Sequence, residues 1–315
     1  MNLVSALRLR LDPVAPDVVS LVGGGGKTSA MRRLAAEVVA QNKRVICTAT
    51  TRLASYEVEG SAWAVEFTGA QLPFDAIAAA LDRHGQCLLV SPHVIEGEGR
   101  KYPGVSAAQV DALAAQAAEL GAAALIVEAD GSRMLPAKAP AEYEPPVPSS
   151  TTLLVAVAGM DAVGRQIEED RVHRPAQIRR VLGLTATEPA RLTPEMVARL
   201  LAHPQGGGKN RPPGAELVAL LNKAENAPAR ACARLAARCL AADGHMALIT
   251  SAGRMDGSPV HERWGPLTAV ILAAGEGSRL GRPKQVAEVG GEPLIVRALR
   301  RAMQSDAEEI VVVTG

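Results

Sequence analysis

Four glycines in a row, then a lysine and a threonine, are the first residues in this chain whose types and order suggest chemistry: VVSLVGGGGKTS, residues 18–29. An apolar strand, a turn of Gly23, Gly24, Gly25 and Gly26, and a helix opening at Lys27, Thr28 and Ser29 give the order of parts that phosphate binding requires. Glycines lack a Cβ, so the turn folds tightly and can aim its N–H groups at an anion. The helix start adds about half a positive charge. On this reading Lys27 reaches the β- and γ-phosphates of a nucleoside triphosphate and the Thr28 hydroxyl ligates Mg²⁺. The full spacing is G-x-x-x-x-G-K-[ST]. Leu21 occupies its first glycine position, so the match is the shorter G-x-x-G-K-T. The alternative is a glycine-rich turn with a lysine facing solvent.

Further residues of the right type end other apolar runs. ALIVEADG supplies Glu128 and Asp130. Asp130 is the expected Mg²⁺ carboxylate, direct or through water, and Glu128 a water-orienting base; an aspartate before a glycine also serves as an ordinary turn residue. Lys27, Asp130 and Glu128 are thus the expected catalytic set. LVALLNKAE places Asn222 and Lys223 at the tip of a late strand and resembles the N-K-x-D element with which many P-loop GTPases read guanine. The acid position is Glu225, one methylene longer, which leaves GTP and ATP both open. Thr48, Thr50 and Thr51 in ICTATTRL put hydroxyls at a neighbouring tip, with Thr50 the expected contact to γ-phosphate or Mg²⁺ and a simple capping run the alternative.

The elements that would position these residues are legible as alternating short β-branched runs and Ala-rich amphipathic runs. Strands are expected at 18–22, 44–49, 86–91, 122–128, 152–158, 217–222, 246–250, 269–273 and 309–314. Their two-sided apolar character suits buried parallel strands. Between them, 28–41 carries Met31, Leu34, Ala35 and Val38 on one helical stripe, and 106–120, 228–241 and 293–303 read likewise. The fold expected is α/β: a P-loop NTPase-like, mostly parallel sheet flanked by helices, followed by a truncated Rossmann-like β-α-β unit. Residues 136–148 and 203–215 read as loops and 253–266 as a linker, giving domains at 1–263 and 264–315.

Lys and Arg number 34 against 33 Asp and Glu, a net charge of +1 that argues against broad electrostatic grip on nucleic acid. No apolar run approaches the ~20 residues of a membrane span. Arg8, Arg10 and Asp12 interrupt the N-terminal apolar run, unlike a signal peptide, and the four cysteines show no CxxC spacing. A cytoplasmic protein with neither nucleic-acid nor membrane partners is expected.

VGGGGKTS, VEADGSRMLPAKAPAEYEPPVP, VAGMDAVG, VHRP and LLNKAE, in that order, resemble the selenium-dependent hydroxylase accessory protein family, YqeC, over about residues 15–255. The resemblance implies an NTP-binding accessory factor in the maturation of molybdenum hydroxylases. Its partners would be a nucleoside triphosphate and the molybdopterin cofactor or the hydroxylase itself. It also implies that Lys138, Glu142, Asp161, His173 and Arg174 line the cleft. LTAVILAAGEGSRLGRPK, residues 267–284, resembles the sugar-nucleotide and molybdenum-cofactor (MobA-like) nucleotidyltransferases. There Leu272, Ala273, Ala274, Gly275, Gly277 and Ser278 would wrap an incoming NTP, CTP by pathway, while Arg279 and Lys284 neutralise the leaving pyrophosphate. The residues after Lys284 suffice for the opening β-α-β unit only. The segment therefore reads as a truncated transferase, and nucleotidyl transfer by this chain alone is not expected; a non-catalytic delivery module is the remaining reading.

Overall fold

The computed structural model describes the chain apart from residues 70, 97–98, 186–188, 255, 276, 278–280, 282, 306, 308 and 315; residues 96 and 99 are described by backbone alone. Two compact units result, Met1–Trp264 and Gly265–Gly315.

The first unit carries strands β1 (Asp17–Gly23), β2 (Arg44–Ala49), β3 (Arg52–Ala54), β4 (Ala64–Glu66), β5 (Gln86–Val90), β6 (Val94–Glu96), β7 (Gly99–Pro103), β8 (Ala122–Glu128), β9 (Leu153–Gly159), β10 (Glu216–Asn222), β11 (Met246–Thr250) and β12 (Val260–Trp264). Its helices are α1 (Leu3–Ala6), α2 (Lys27–Val39), α3 (Ser55–Val58), α4 (Phe74–His84), α5 (Ala107–Ala115), α6 (Ala117–Leu120), α7 (Pro175–Leu182), α8 (Pro194–Ala202) and α9 (Ala227–Ala242). Nine of the strands form one sheet in the order β12-β11-β10-β9-β1-β8-β2-β5-β4, parallel except for β12. β3, β7 and β6 make a separate antiparallel sheet.

Every residue of β1, β8 and β9 is buried, which is why these runs are apolar throughout. Alternate residues serve opposite faces. Val19, Leu21, Ala124, Ile126 and Val155 pack with Met31, Leu34 and Val38 of α2. On the other face, Leu125 and Val127 pack with Ile77 and Leu81 of α4, and Leu154, Ala156 and Leu221 pack with α7, α8 and α9. From β1 the chain crosses by α2 toward β2, whereas β9 lies on the other side of β1 and leads on to β10 and β11. The strand order therefore reverses at β1, and a crevice at such a reversal, outside the carboxyl ends of the strands, is where open α/β sheets bind ligands.

The mixed α/β architecture with a large, mostly parallel sheet agrees with the sequence pattern. The stretch read as a linker does not: Val260–Trp264 joins β11 as an antiparallel edge strand. Its polar His261 and charged Glu262 and Arg263 hid a strand in which Val260 is buried and Trp264 packs against the core. The run read as one helix over 106–120 is interrupted at Gln116.

In the second unit β13 (Thr268–Ala273) pairs in parallel with β16 (Glu309–Thr314). A short antiparallel ribbon of β14 (Glu288–Val289) and β15 (Glu292–Pro293) precedes α10 (Leu294–Met303), which makes the crossover between β13 and β16. Among the described residues no helix is long and apolar enough to cross a membrane.

Leu125, in β8 and 1% exposed, has no room to relax around a void. Leu125→Ala is expected to cost about 2–5 kcal/mol, read by chemical denaturation as a lower midpoint at unchanged slope.

Candidate functional site

β1 ends in the glycine turn, and that turn is wedged among neighbouring backbones. A Cβ on Gly23 would lie 2.3 Å from the Val157 carbonyl oxygen, one on Gly24 2.5 Å from that of Leu135, one on Gly25 2.0 Å from the Gly159 nitrogen and one on Gly26 2.5 Å from Asn222 Nδ2. Close approach on every side excludes side chains here, and Gly23, Gly25 and Gly26 also have positive φ.

The expected inward amides are only partly free. Gly23 N–H is shared between Asp130 Oδ1 and Oδ2 at 3.1 and 3.0 Å, Gly24 N–H donates to Val157 O at 2.9 Å, and Gly25 N–H to Leu135 O at 3.1 Å. The turn spends these three donors on holding its own shape. Among the described residues, the N–H groups of Gly26, Lys27, Thr28 and Ser29 take no acceptor within the chain. The unengaged donors thus begin at Gly26 and continue through the first turn of α2, where Gly26, Thr28 and Ser29 reach solvent and an anion would be favoured.

Lys27 is 3% exposed. Its ammonium donates to Gly23 O at 2.7 Å and lies 3.2 Å from Asp130 Oδ1 and 3.6 Å from Glu128 Oε1. Burial pulls its pKa down, but the two carboxylates outweigh that and hold it above the ordinary 10.5. Thr28 Oγ1 donates to Glu128 Oε2 at 2.8 Å. The carboxylate beside the threonine is therefore Glu128, where the sequence reading had placed Asp130. The reason is geometric: Glu128 is the last residue of β8, while Asp130 has both oxygens engaged by Gly23 N–H and by Lys27 and Lys138. Burial pushes the Glu128 carboxyl up, with Lys27 and Thr28 opposing.

Behind Asp130 the charges continue in alternation. Lys138 Nζ lies 3.1 Å from Asp130 Oδ2 and donates to Glu144 Oε2 at 2.8 Å and to Gly131 O at 2.7 Å. Glu144 accepts from Arg174 through two guanidinium nitrogens. Burial alone would raise the Glu144 carboxyl, but Arg174 and Lys138 hold it at about 2. Glu144 was missed in the sequence. The resemblance pointed to Glu142, which is exposed and offers only its carbonyl, to Lys209. A lysine in an apolar, proline-framed stretch needs a carboxylate of its own, which was the available signal. His173 is nearly buried; desolvation first, then the charges of Lys138, Arg174 and Arg133, lower its pKa to about 4.

Asn222 does not face outward to read a base. It is 2% exposed, donates to Gly25 O at 2.9 Å and accepts from Thr250 Oγ1 at 3.1 Å and Ala252 N–H at 2.9 Å, tying β10, β11 and the glycine turn together. Lys223 at the same tip pairs with Asp161 at 3.1 Å, and Glu225 is exposed. Thr50 N–H donates to Glu128 O at 3.0 Å, while the Oγ1 atoms of Thr50 and Thr51 are buried without a partner among the described residues; Thr48 is spent on Leu89 O.

In the second unit, Leu272 and Ala273 end β13 and Ala274 and Gly275 begin the turn after it. Gly277 has φ +61°, a conformation that favours glycine, and Lys284 opens a short exposed 3₁₀ turn. Ser278 and Arg279 lie outside the described residues.

Comparison with known proteins finds matches in two separate stretches of the chain. The family model described as YqeC protein matches residues 19–176, and the MobA-like NTP transferase domain model matches 269–315. The YqeC protein of Escherichia coli (strain K12) is 35% identical over 210 residues, covering 66% of this chain and 76% of that protein. The bifunctional protein GlmU of Sorangium cellulosum (strain So ce56) is 44% identical over 52 residues, 16% of this chain and only 11% of that protein. No solved structure matches.

Two outcomes are expected from this geometry. Gly25→Ala puts a methyl 2.0 Å from the Gly159 nitrogen at φ +77°, and is expected to lower stability by about 2 kcal/mol or more in a denaturant titration. An unfolded imidazole titrates near 6.5 and His173 in the fold at about 4, so the unfolded chain holds the proton more tightly. Stability is accordingly lost as pH falls from about 6.5 toward 4, and His173→Gln should flatten that limb of the melting-temperature profile.

Proposed function

The chain belongs to the YqeC family, and from that premise we propose that its first unit binds a nucleoside triphosphate with Mg²⁺ and hydrolyses it. The observation that carries this reading is the mouth of α2: four backbone N–H groups with no acceptor among the described residues, the Lys27 ammonium, and the Thr28–Glu128 pair, together at the reversal point of the sheet. Phosphate oxygens would accept from Gly26 to Ser29 and from Lys27. Thr28 and Glu128 offer the hard oxygen donors that suit Mg²⁺, which is commonly held by one or two protein oxygens and completed by phosphate and water. When bound, the cation would neutralise charge on the phosphates.

On this reading Lys27 is the charge-stabilising residue and Glu128 orients water. Asp130, expected at the metal directly or through water, also accepts the Gly23 N–H and so secures the turn. The buried Thr50 hydroxyl, at the β2 tip beside Glu128, is a donor available to the terminal phosphate. For the base, Lys223 and Glu225 remain at the β10 tip. A carboxylate there accepts from the N1–H and amino group of guanine, which favours GTP, while ATP is the competing case. We place the activity in the maturation of a molybdenum hydroxylase or its cofactor. The support is the order of family motifs and the MobA-like match on the same chain.

That match also favours a second NTP site, with CTP the expected nucleotide, at the Leu272–Lys284 turn. Nucleotidyl transfer there is the alternative activity, and nucleotide holding without turnover the third.

GTP, ATP and CTP with Mg²⁺ should be compared by melting shift and by phosphate release. A nucleotide at 100 times its Kd adds about 2.7 kcal/mol to the stability of the state that binds it. Lys27→Met is expected to abolish the shift, and Glu128→Gln to keep it while slowing phosphate release about 100-fold or more. A chain that responds to none of the three, or a Lys27→Met variant that responds like wild type, refutes the reading.

A further inference from the structure

Lys138 is an ammonium group that the nucleotide reading leaves unused. Its side chain is 0% exposed, so it cannot serve as a solvated surface cation. Three acceptors surround Nζ: Gly131 O at 2.7 Å, Glu144 Oε2 at 2.8 Å and Asp130 Oδ2 at 3.1 Å. The ammonium has three hydrogens, so its orientation is fixed. One side chain further on, Glu144 is already matched by Arg174. The positive charge of Lys138 is therefore left to balance Asp130.

The consequence reaches Lys27, the lysine of the proposed phosphate site. Lys27 stands between two carboxylates, Asp130 at 3.2 Å and Glu128 at 3.6 Å. Taken alone, that trio is net negative, and a polyphosphate approaching it would be repelled in a medium of reduced dielectric. With Lys138 on the far oxygen of Asp130, two ammonium groups face two carboxylates. The repulsion is cancelled, and Lys27 keeps its attraction for an incoming anion. His173, also facing this cluster, is held neutral near pH 7, so it does not supply the missing charge.

We propose that Lys138 is a positioning residue for the phosphate site: acting through Asp130, it supplies the counter-charge that lets Lys27 accept a polyphosphate. The inference rests on the nucleotide reading and deepens it, because it makes affinity depend on the number of phosphates. Removing the charge should penalise each additional negative phosphate, whereas a purely structural lysine would affect all ligands alike.

The test is a binding ladder of nucleoside, mono-, di- and triphosphate, with Mg²⁺, on the full chain carrying Lys138→Met. The expected loss is about tenfold or more for the triphosphate, shrinking along the ladder to no measurable change for the nucleoside. The double variant Lys138→Met/Asp130→Asn removes one charge of each sign and should return triphosphate affinity to within about threefold of wild type. It also carries the test should the single variant fail to fold. A loss of equal size at every rung, no loss at all, or a double variant that stays about tenfold or more weakened overturns the role of Lys138 while leaving nucleotide binding intact. Wild type that binds no rung of the ladder refutes both readings.

Discussion

A lysine ammonium almost entirely removed from water is the constraint around which the first unit is arranged. Lys27 comes directly after the glycine turn, so wherever the turn goes its charge goes too, and burying an unpaired charge is among the costliest things a fold can do. The chain meets this with Glu128 at the end of β8, the neighbour of β1, with Asp130 two residues on, and with the carbonyl of Gly23 as a third acceptor. Those carboxylates need cations in turn, and the series passes through Lys138 and Glu144 to Arg174, at the start of α7. An alternating chain of charges thus links β1, β8, the proline-rich segment after β8 and the α7 layer. This explains why a segment without regular secondary structure is nonetheless largely buried: Lys138 and Glu144 anchor it from inside, and Lys209 and Asn210 hold its backbone carbonyls.

The glycine turn and the helix start that follows it divide their labour. The turn's first three N–H groups knit it to Asp130, Val157 and Leu135, and the next four, from Gly26 onward, stand at the helix mouth. The same division applies to the acids. Asp130 is saturated by the turn and two lysines, which leaves Glu128, with Thr28 on one oxygen, as the carboxylate able to change partners.

Much of this was legible in the sequence because burial on both faces writes itself into composition. The runs at 18–22, 122–128 and 152–158 contain little else but aliphatics and lie at the centre of the sheet. The glycine turn, Lys27, Thr28 and Glu128 stood out by residue type at strand and helix ends, and the structure brings them together. Choosing between Glu128 and Asp130 was not possible, since two residues of separation at a strand end settle nothing about which carboxylate turns toward Thr28. Asn222 was legible as a strand-tip residue but not as a brace, because its partners Gly25, Thr250 and Ala252 are distant in sequence. Strands such as β3, β4 and β6, three residues each, carry too little periodicity to stand out.

The Asn222 amide joins two ends of one crevice: its nitrogen fixes the Gly25 carbonyl, and its oxygen fixes the tip of β11. That joint is made by the chain itself, so holding the Gly25 carbonyl against the tip of β11 requires no ligand. Little conformational entropy would then be surrendered on association.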